Sequence, residues 1–183
     1  KKVGVIGSGQ MGNGIAHVSA LAGFDVVLND LSEERLKSAM ATINGNLSRQ
    51  VAKNAITEDA RKKALDRITS SETIEGLSDC DLVIETAVEK EEVKRKIFHE
   101  LCAVLKPEAI VASNSSSISI TRLAASTDRP ERFIGIHFMN PVPLMELVEL
   151  IRGIATDDST FEASKVFVRK LSKTIAVSED FPA

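Results

Sequence analysis

Val3-Gly4-Val5-Ile6-Gly7-Ser8-Gly9-Gln10-Met11-Gly12 carries a short apolar run straight into a spaced glycine triplet, and Ile15-Ala16-His17-Val18 follows with helical character. A strand, a tight turn and a helix start in that order give the GxGxxG pattern its meaning. Gly7 permits the turn, Gly9 lets a ligand approach the backbone, and Gly12 lets helix and strand pack closely. The helix start then offers free N–H groups and the positive end of its dipole to a pyrophosphate, framed by Ser8, Gln10 and Met11.

Outward from this cradle, Leu21-Ala22-Gly23 closes the helix and Asp25-Val26-Val27-Leu28-Asn29-Asp30 reads as a second strand ending in an acid. Asp30 lies about twenty residues beyond the glycines, where such folds place a carboxylate on the ribose hydroxyls. A 2′-phosphate would meet like charge there, and no arginine immediately follows, so NAD is favoured over NADP.

The rest of the chain alternates short apolar runs with stretches of helical period. Strands are expected near 2–6, 25–30, 67–70, 81–85, 109–113, 133–138, 144–151 and 173–177. Helices are expected near 10–22, 32–53, 57–66, 90–105, 119–126 and 159–172. The fold class is α/β, a Rossmann-type doubly wound, mostly parallel sheet of about eight strands. A helical-hairpin insertion, about 32–66, follows the second strand. Within it Leu36, Met40, Ile43, Leu47 and Val51 form an apolar stripe that Asn44-Gly45 interrupts, and packing is expected to override the glycine there.

Composition narrows the partners. The 183 residues are 43% hydrophobic and 27% charged, with a formal net charge of −3, which suits one globular domain and gives no footprint for nucleic acid. No apolar run approaches a membrane span and no signal segment opens the chain. Cys80 and Cys102 lack CxxC spacing and are read as reduced structural thiols. No metal site is expected.

Three further clusters can carry chemistry. Asp81-Leu82-Val83-Ile84-Glu85 runs into the crevice side of the sheet, which makes Glu89 and Lys94 either cofactor neighbours or part of a solvated charged helix face. Ala112-Ser113-Asn114-Ser115-Ser116-Ser117 supplies hydroxyls that either contact a substrate oxygen or cap the next helix. His137 ends an apolar strand, and beyond Asn140-Pro141-Val142-Pro143 Glu149 shares a face with Met145, Leu147 and Ile151, so a buried Glu149 is expected to accept a hydrogen bond from His137. Such a pair leaves the second imidazole nitrogen to exchange a proton with an alcohol or ketone. The competing reading is a core histidine beside an unrelated glutamate. His17 and His99 are read as structural.

The segments Gly7–Gly14 (GSGQMGNG), Ser113–Ser117 (SNSSS) and His137-Phe138-Met139-Asn140-Pro141, followed by Leu147-Val148-Glu149, together resemble the L-3-hydroxyacyl-CoA dehydrogenase family over the whole chain. The resemblance implies NAD-dependent oxidation of a short-chain 3-hydroxyacyl-CoA, such as 3-hydroxybutyryl-CoA, to the 3-ketoacyl-CoA, or the reverse. His137 and Glu149 would act together as a pair serving as general base or acid, and Ser116 as a substrate contact. Cofactor contacts would fall on Asp30, Glu89, Lys94, Ser116 and Asn140, and CoA contacts on Lys53 and Asn46, the latter where the family has serine.

Family members continue from a segment like Glu179-Asp180-Phe181-Pro182 into a helical domain that closes the substrate cleft and forms a homodimer. Residues 1–183 then correspond to the NAD-binding domain, expected to bind NAD with little turnover by itself, in the cytoplasm or the mitochondrial matrix. Two alternatives are a non-catalytic, crystallin-like NAD-binding protein and a dehydrogenase of a sugar acid or other 3-hydroxy acid lacking CoA.

Overall fold

A computed structural model describes residues 1–180; Phe181-Pro182, the end of the family-like segment, lies outside the described residues. Fourteen longer elements carry the fold. They are β1 (Lys2–Ile6), α1 (Gln10–Leu21), β2 (Asp25–Asn29), α2 (Glu33–Ala52), α3 (Glu58–Asp66), β3 (Ile68–Ser71), β4 (Leu82–Glu85), α4 (Glu91–Val104), β5 (Ile110–Ser113), α5 (Ile120–Ala125), β6 (Phe133–Phe138), β7 (Leu147–Arg152), α6 (Asp158–Lys170) and β8 (Thr174–Glu179). Short 3-10 turns at Ile74–Leu77 and Pro130–Arg132 were not foreseen in the sequence.

The eight strands form one sheet in the order β3-β2-β1-β4-β5-β6-β7-β8. Strands β1 to β6 run parallel, whereas β7 returns antiparallel to β6 and carries β8 parallel to itself. The chain winds outward from β1 in one direction and from β4 in the other. That reversal opens a crevice at the carboxyl ends of β1 and β4, where ligands bind in such sheets.

Both faces of the sheet are covered, as a parallel sheet requires. Val3, Val5, Val26, Leu28 and Ile84 point into a core closed by Ile15 and Val18 of α1, Leu36, Ile43 and Leu47 of α2, and Phe167 and Val168 of α6. Ile6, Val27, Val83 and Val111 point the other way, onto Phe98 and Leu101 of α4 and Leu123 of α5. Phe98 and Phe133 meet edge to face at 5.0 Å in that second core.

Helix α2 runs unbroken through Asn44-Gly45, since four of its apolar residues are buried against α1 and the sheet. The α2–α3 pair therefore lies along α1 rather than standing clear of the domain. Ser32 and Thr57 start the two helices, each hydroxyl accepting an amide hydrogen bond three residues on.

Two strand boundaries move by two residues or more. Strand β7 begins at Leu147 rather than 144, because the Pro141 carbonyl accepts hydrogen bonds from the amides of both Leu144 and Met145 and folds those residues into a turn. Met145 consequently shares no strand face with Glu149. Strand β8 runs on to Glu179, past the expected end at 177. Cys80 and Cys102 are both free, and burial pushes the Cys80 thiol up to about 12, which keeps it a neutral packing group.

Candidate nucleotide and proton-transfer site

The glycine turn fits an anionic ligand. Gly7 sits at a φ of 93°, and a Cβ on Gly12 would fall 1.8 Å from the Gly7 carbonyl oxygen, so α1 starts hard against the end of β1. A Cβ on Gly9, by contrast, would meet nothing within 4 Å. The space in front of Gly9 is open for a ligand. No side chain caps α1 and no acid lies in its first turn, so its leading N–H groups and dipole face that space uncompensated.

Asp30 stands beside the turn and is fixed by it. The amide and hydroxyl of Ser8 donate to Asp30 Oδ2 at 3.0 and 2.8 Å, and the Ser32 amide donates to Oδ1 at 3.2 Å. Burial by itself pushes this carboxyl up, but those three donors and the charge of Arg35 hold it below the ordinary carboxylate value. An ionised Asp30 with lone pairs to spare suits ribose hydroxyls and repels a 2′-phosphate.

Two clefts meet at this end of the sheet. One of about 320 Å³ contains Met11, Glu89, Lys94, Ser116, His137 and Asn140. The other, about 510 Å³, lies between α1 and α2 and contains Gln10, Arg35, Thr42, Asn46 and Asn140. Asn140 borders both. Lys53 caps the C-terminal end of α2 and is exposed outside the second cleft.

The surroundings of Glu89 and Lys94 overturn the solvated-face reading for the lysine. Lys94 is only 2% exposed and donates to Glu85 Oε2 at 2.6 Å and to the Ala87 carbonyl at 3.1 Å. Glu89, on the loop before α4, accepts from the Ser115 hydroxyl at 2.8 Å and the Ser116 amide at 3.1 Å. Burial works to raise the Glu89 carboxyl, but those serines and Lys94 outweigh it and keep it ionised below its ordinary value.

The serine cluster does not cap the following helix. Ser119, beyond the cluster, is the N-cap of α5 and accepts from the Arg122 amide, while Ser115 accepts from the Ile118 amide. Ser116 is left at the mouth of the cleft. Asn114 locks the neighbouring strand end, its Oδ1 accepting from the Phe138 amide at 2.8 Å. Residue type alone did not single out Asn114 or Glu85, although an acid ending the apolar run Leu82-Val83-Ile84 signals a buried carboxylate in need of partners.

His137 and Glu149 sit directly opposite each other on β6 and β7. The expected buried hydrogen bond is not formed. His137 Nδ1 and Glu149 Oε1 are 3.8 Å apart, and the two side chains are 22% and 36% exposed. Met145, in the turn, and Leu147 are 41% and 40% exposed, so of the three apolar neighbours expected to bury Glu149 only Ile151 packs against the core. His17 is buried on α1 with Nε2 2.8 Å from Gln50 Oε1, and His99 is exposed on α4, both away from the clefts.

Residues 2–181 match the family model described as 3-hydroxyacyl-CoA dehydrogenase, NAD binding domain. The chain is 82% identical over 183 residues to a 3-hydroxybutyryl-CoA dehydrogenase of Bradyrhizobium diazoefficiens, covering all of this chain and 62% of that protein. A probable 3-hydroxybutyryl-CoA dehydrogenase of Deinococcus radiodurans is 48% identical over 99% of this chain and 65% of its own length. The crystal structure of (S)-3-hydroxybutyryl-CoA dehydrogenase from Ralstonia eutropha superposes with a TM-score of 0.96 at 43% identity, over 99% of this chain and 64% of that one. The chain thus spans somewhat less than two thirds of the length of these relatives.

Proposed function

The chain belongs to the 3-hydroxyacyl-CoA dehydrogenase family, whose NAD-binding domain it carries, and from that premise we propose that it serves the NAD-dependent interconversion of a short-chain L-3-hydroxyacyl-CoA and its 3-ketoacyl-CoA. The observation that carries this reading is the cross-strand His137–Glu149 pair at the rim of the cleft that also holds Ser116 and Asn140.

NAD fits the residues present: the α1 N-terminus would hold the pyrophosphate, Asp30 the ribose, and Met11, Glu89, Lys94 and Asn140 would border the nicotinamide end. When bound it supplies the acceptor for the hydride leaving C3 of the substrate. His137 acts as general base in the oxidising direction, its Nε2 taking the proton from the 3-hydroxyl. Glu149, on the Nδ1 side, fixes the tautomer and stabilises the imidazolium as it forms. Reduction reverses the roles, and His137 returns the proton. Ser116 holds the substrate oxygen in line with the imidazole.

The CoA moiety is proposed to follow α2. Arg35, Thr42 and Asn46 face the larger cleft, Arg49 donates to Asn46 Oδ1 at 2.7 Å, and Lys53 stands further along as a cation for a phosphate. That cationic stripe favours an acyl-CoA over a free hydroxy acid. A homodimer formed through the additional length of the relatives completes the proposal, in the cytoplasm or an organelle matrix. Among the described residues no helix is long and apolar enough to cross a membrane.

The test follows NADH absorbance with acetoacetyl-CoA, for the chain alone and for the chain joined to the additional C-terminal length of the Bradyrhizobium relative. Turnover that disappears in His137→Gln supports the proposal. Equal rates with and without the imidazole would overturn it.

A further inference from the structure

Glu85 closes β4 and is fully buried, yet it lines neither cleft. A carboxylate withdrawn from water needs several donors, and each of its oxygens has them. Oε1 accepts from the Ser113 hydroxyl at 2.7 Å, and Oε2 accepts from the Ala87 amide and the Lys94 ammonium, both at 2.6 Å. Burial pushes this carboxyl up, opposed first by Lys94.

Two routes lead from Glu85 to the loop at the mouth of the cleft. Through Lys94, whose Nζ is 3.6 Å from Glu89 Oε1, it meets the carboxylate that accepts the Ser116 amide at 3.1 Å and the Ser116 hydroxyl at 3.4 Å. Through Ser113, whose Oγ accepts the Ser115 amide at 3.2 Å, it reaches the same turn from behind.

We propose that Glu85 is a positioning residue that fixes Ser116 against cofactor and substrate by holding Lys94 and Ser113; this rests on the reading of Ser116 given above. Lys94 is shut away from water, so without the Glu85 charge its ammonium must turn to Glu89 Oε1, which Ser115 already occupies. Drawing Glu89 inward strips Ser116 of its acceptor. A glutamine at position 85 substitutes only in part: with its oxygen on the Ala87 amide and the Lys94 ammonium, its NH2 group must face Ser113 Oγ, which loses its acceptor, and the ammonium is left beside a neutral oxygen.

The experiment is a cycle of four proteins, unsubstituted, Glu85→Gln, Ser116→Ala and both together, titrated with NADH by fluorescence and checked by thermal melting. Glu85→Gln is expected to weaken NADH binding about tenfold where Ser116 is present, and less than about threefold in the Ser116→Ala background. Ser113→Ala, which cuts only the second route and leaves the buried charge paired, is expected to weaken binding about threefold and serves if Glu85→Gln does not fold. A loss of the same size in both backgrounds would mean that Glu85 supports the fold generally and would overturn the proposal, as would unchanged NADH affinity in Glu85→Gln or, where that variant does not fold, in Ser113→Ala. If the unsubstituted chain binds NADH but transfers no hydride to acetoacetyl-CoA, alone or joined to the additional C-terminal length of the Bradyrhizobium relative, the dehydrogenase reading falls and the cycle is still read on binding.

Discussion

The two halves of the site are built differently. At the β1–α1 turn the functional groups are backbone amides and a carboxylate held by three donors, packed so tightly that Gly12 has no room for a methyl group. At the β6–β7 edge they are two partly exposed side chains 3.8 Å apart, with Leu147 of the same strand as Glu149 40% exposed. Nucleotide binding thus rests on geometry that is already in place, because backbone amides cannot be deflected without breaking the fold. The proposed proton transfer would rest on side chains that must close by about an ångström to make a hydrogen bond.

The sharpest way to break this contrast is His137→Gln. Hydride transfer should fall about 10²- to 10⁴-fold while NADH affinity stays within about twofold. A parallel loss of NADH affinity, read by fluorescence titration, would show that the two halves are not separable. Gly12→Ala is the converse. Its Cβ would clash with the Gly7 carbonyl, so NADH binding should weaken about a hundredfold and the melting temperature should drop, with an overpacking cost of about 1–3 kcal/mol.

Lys53→Ala should raise KM for acetoacetyl-CoA about two- to fivefold and leave NADH binding unchanged, a loss consistent with one exposed ion pair to phosphate. Unchanged KM would remove Lys53 from the CoA track. The smallest effect concerns Asp30. Its folded pKa is depressed, so the stability it contributes is fully present above the ordinary carboxylate range and is lost as pH falls through the lowered value. Asp30→Asn should therefore flatten the acid side of the stability–pH curve and cost about 0.5 kcal/mol at neutral pH, measured by denaturant titration.

Much of the binding half was legible because its signals are local. The order of apolar run, glycines, helical run and acid lies within Val3 to Asp30, where neighbours in sequence are neighbours in space. The continuity of α2 through Asn44-Gly45 was also readable from the stripe that Ile43 and Leu47 extend. The chemistry half was only partly legible. The cross-strand pairing of His137 with Glu149 followed from two strands around a proline bend, but the exposure of Glu149 depended on where β7 begins. That depended in turn on the Pro141 carbonyl gathering the Leu144 and Met145 amides.

By itself the sequence determined that a parallel sheet would present a tight glycine turn at a helix start beside a strand-end acid, since glycine sterics and hydrophobic period act over a few residues. Only the tertiary structure decided that Lys94 is buried rather than solvated, that Ser119 and not the earlier serines caps α5, and that Glu85 stands behind Ser116. Those outcomes depend on β4 and β5 pairing in register, with Glu85 opposite Ser113, and on α4 laying Lys94 across both strand ends. A buried charge takes whichever partners the packing brings within reach, and no spacing along the chain records that choice.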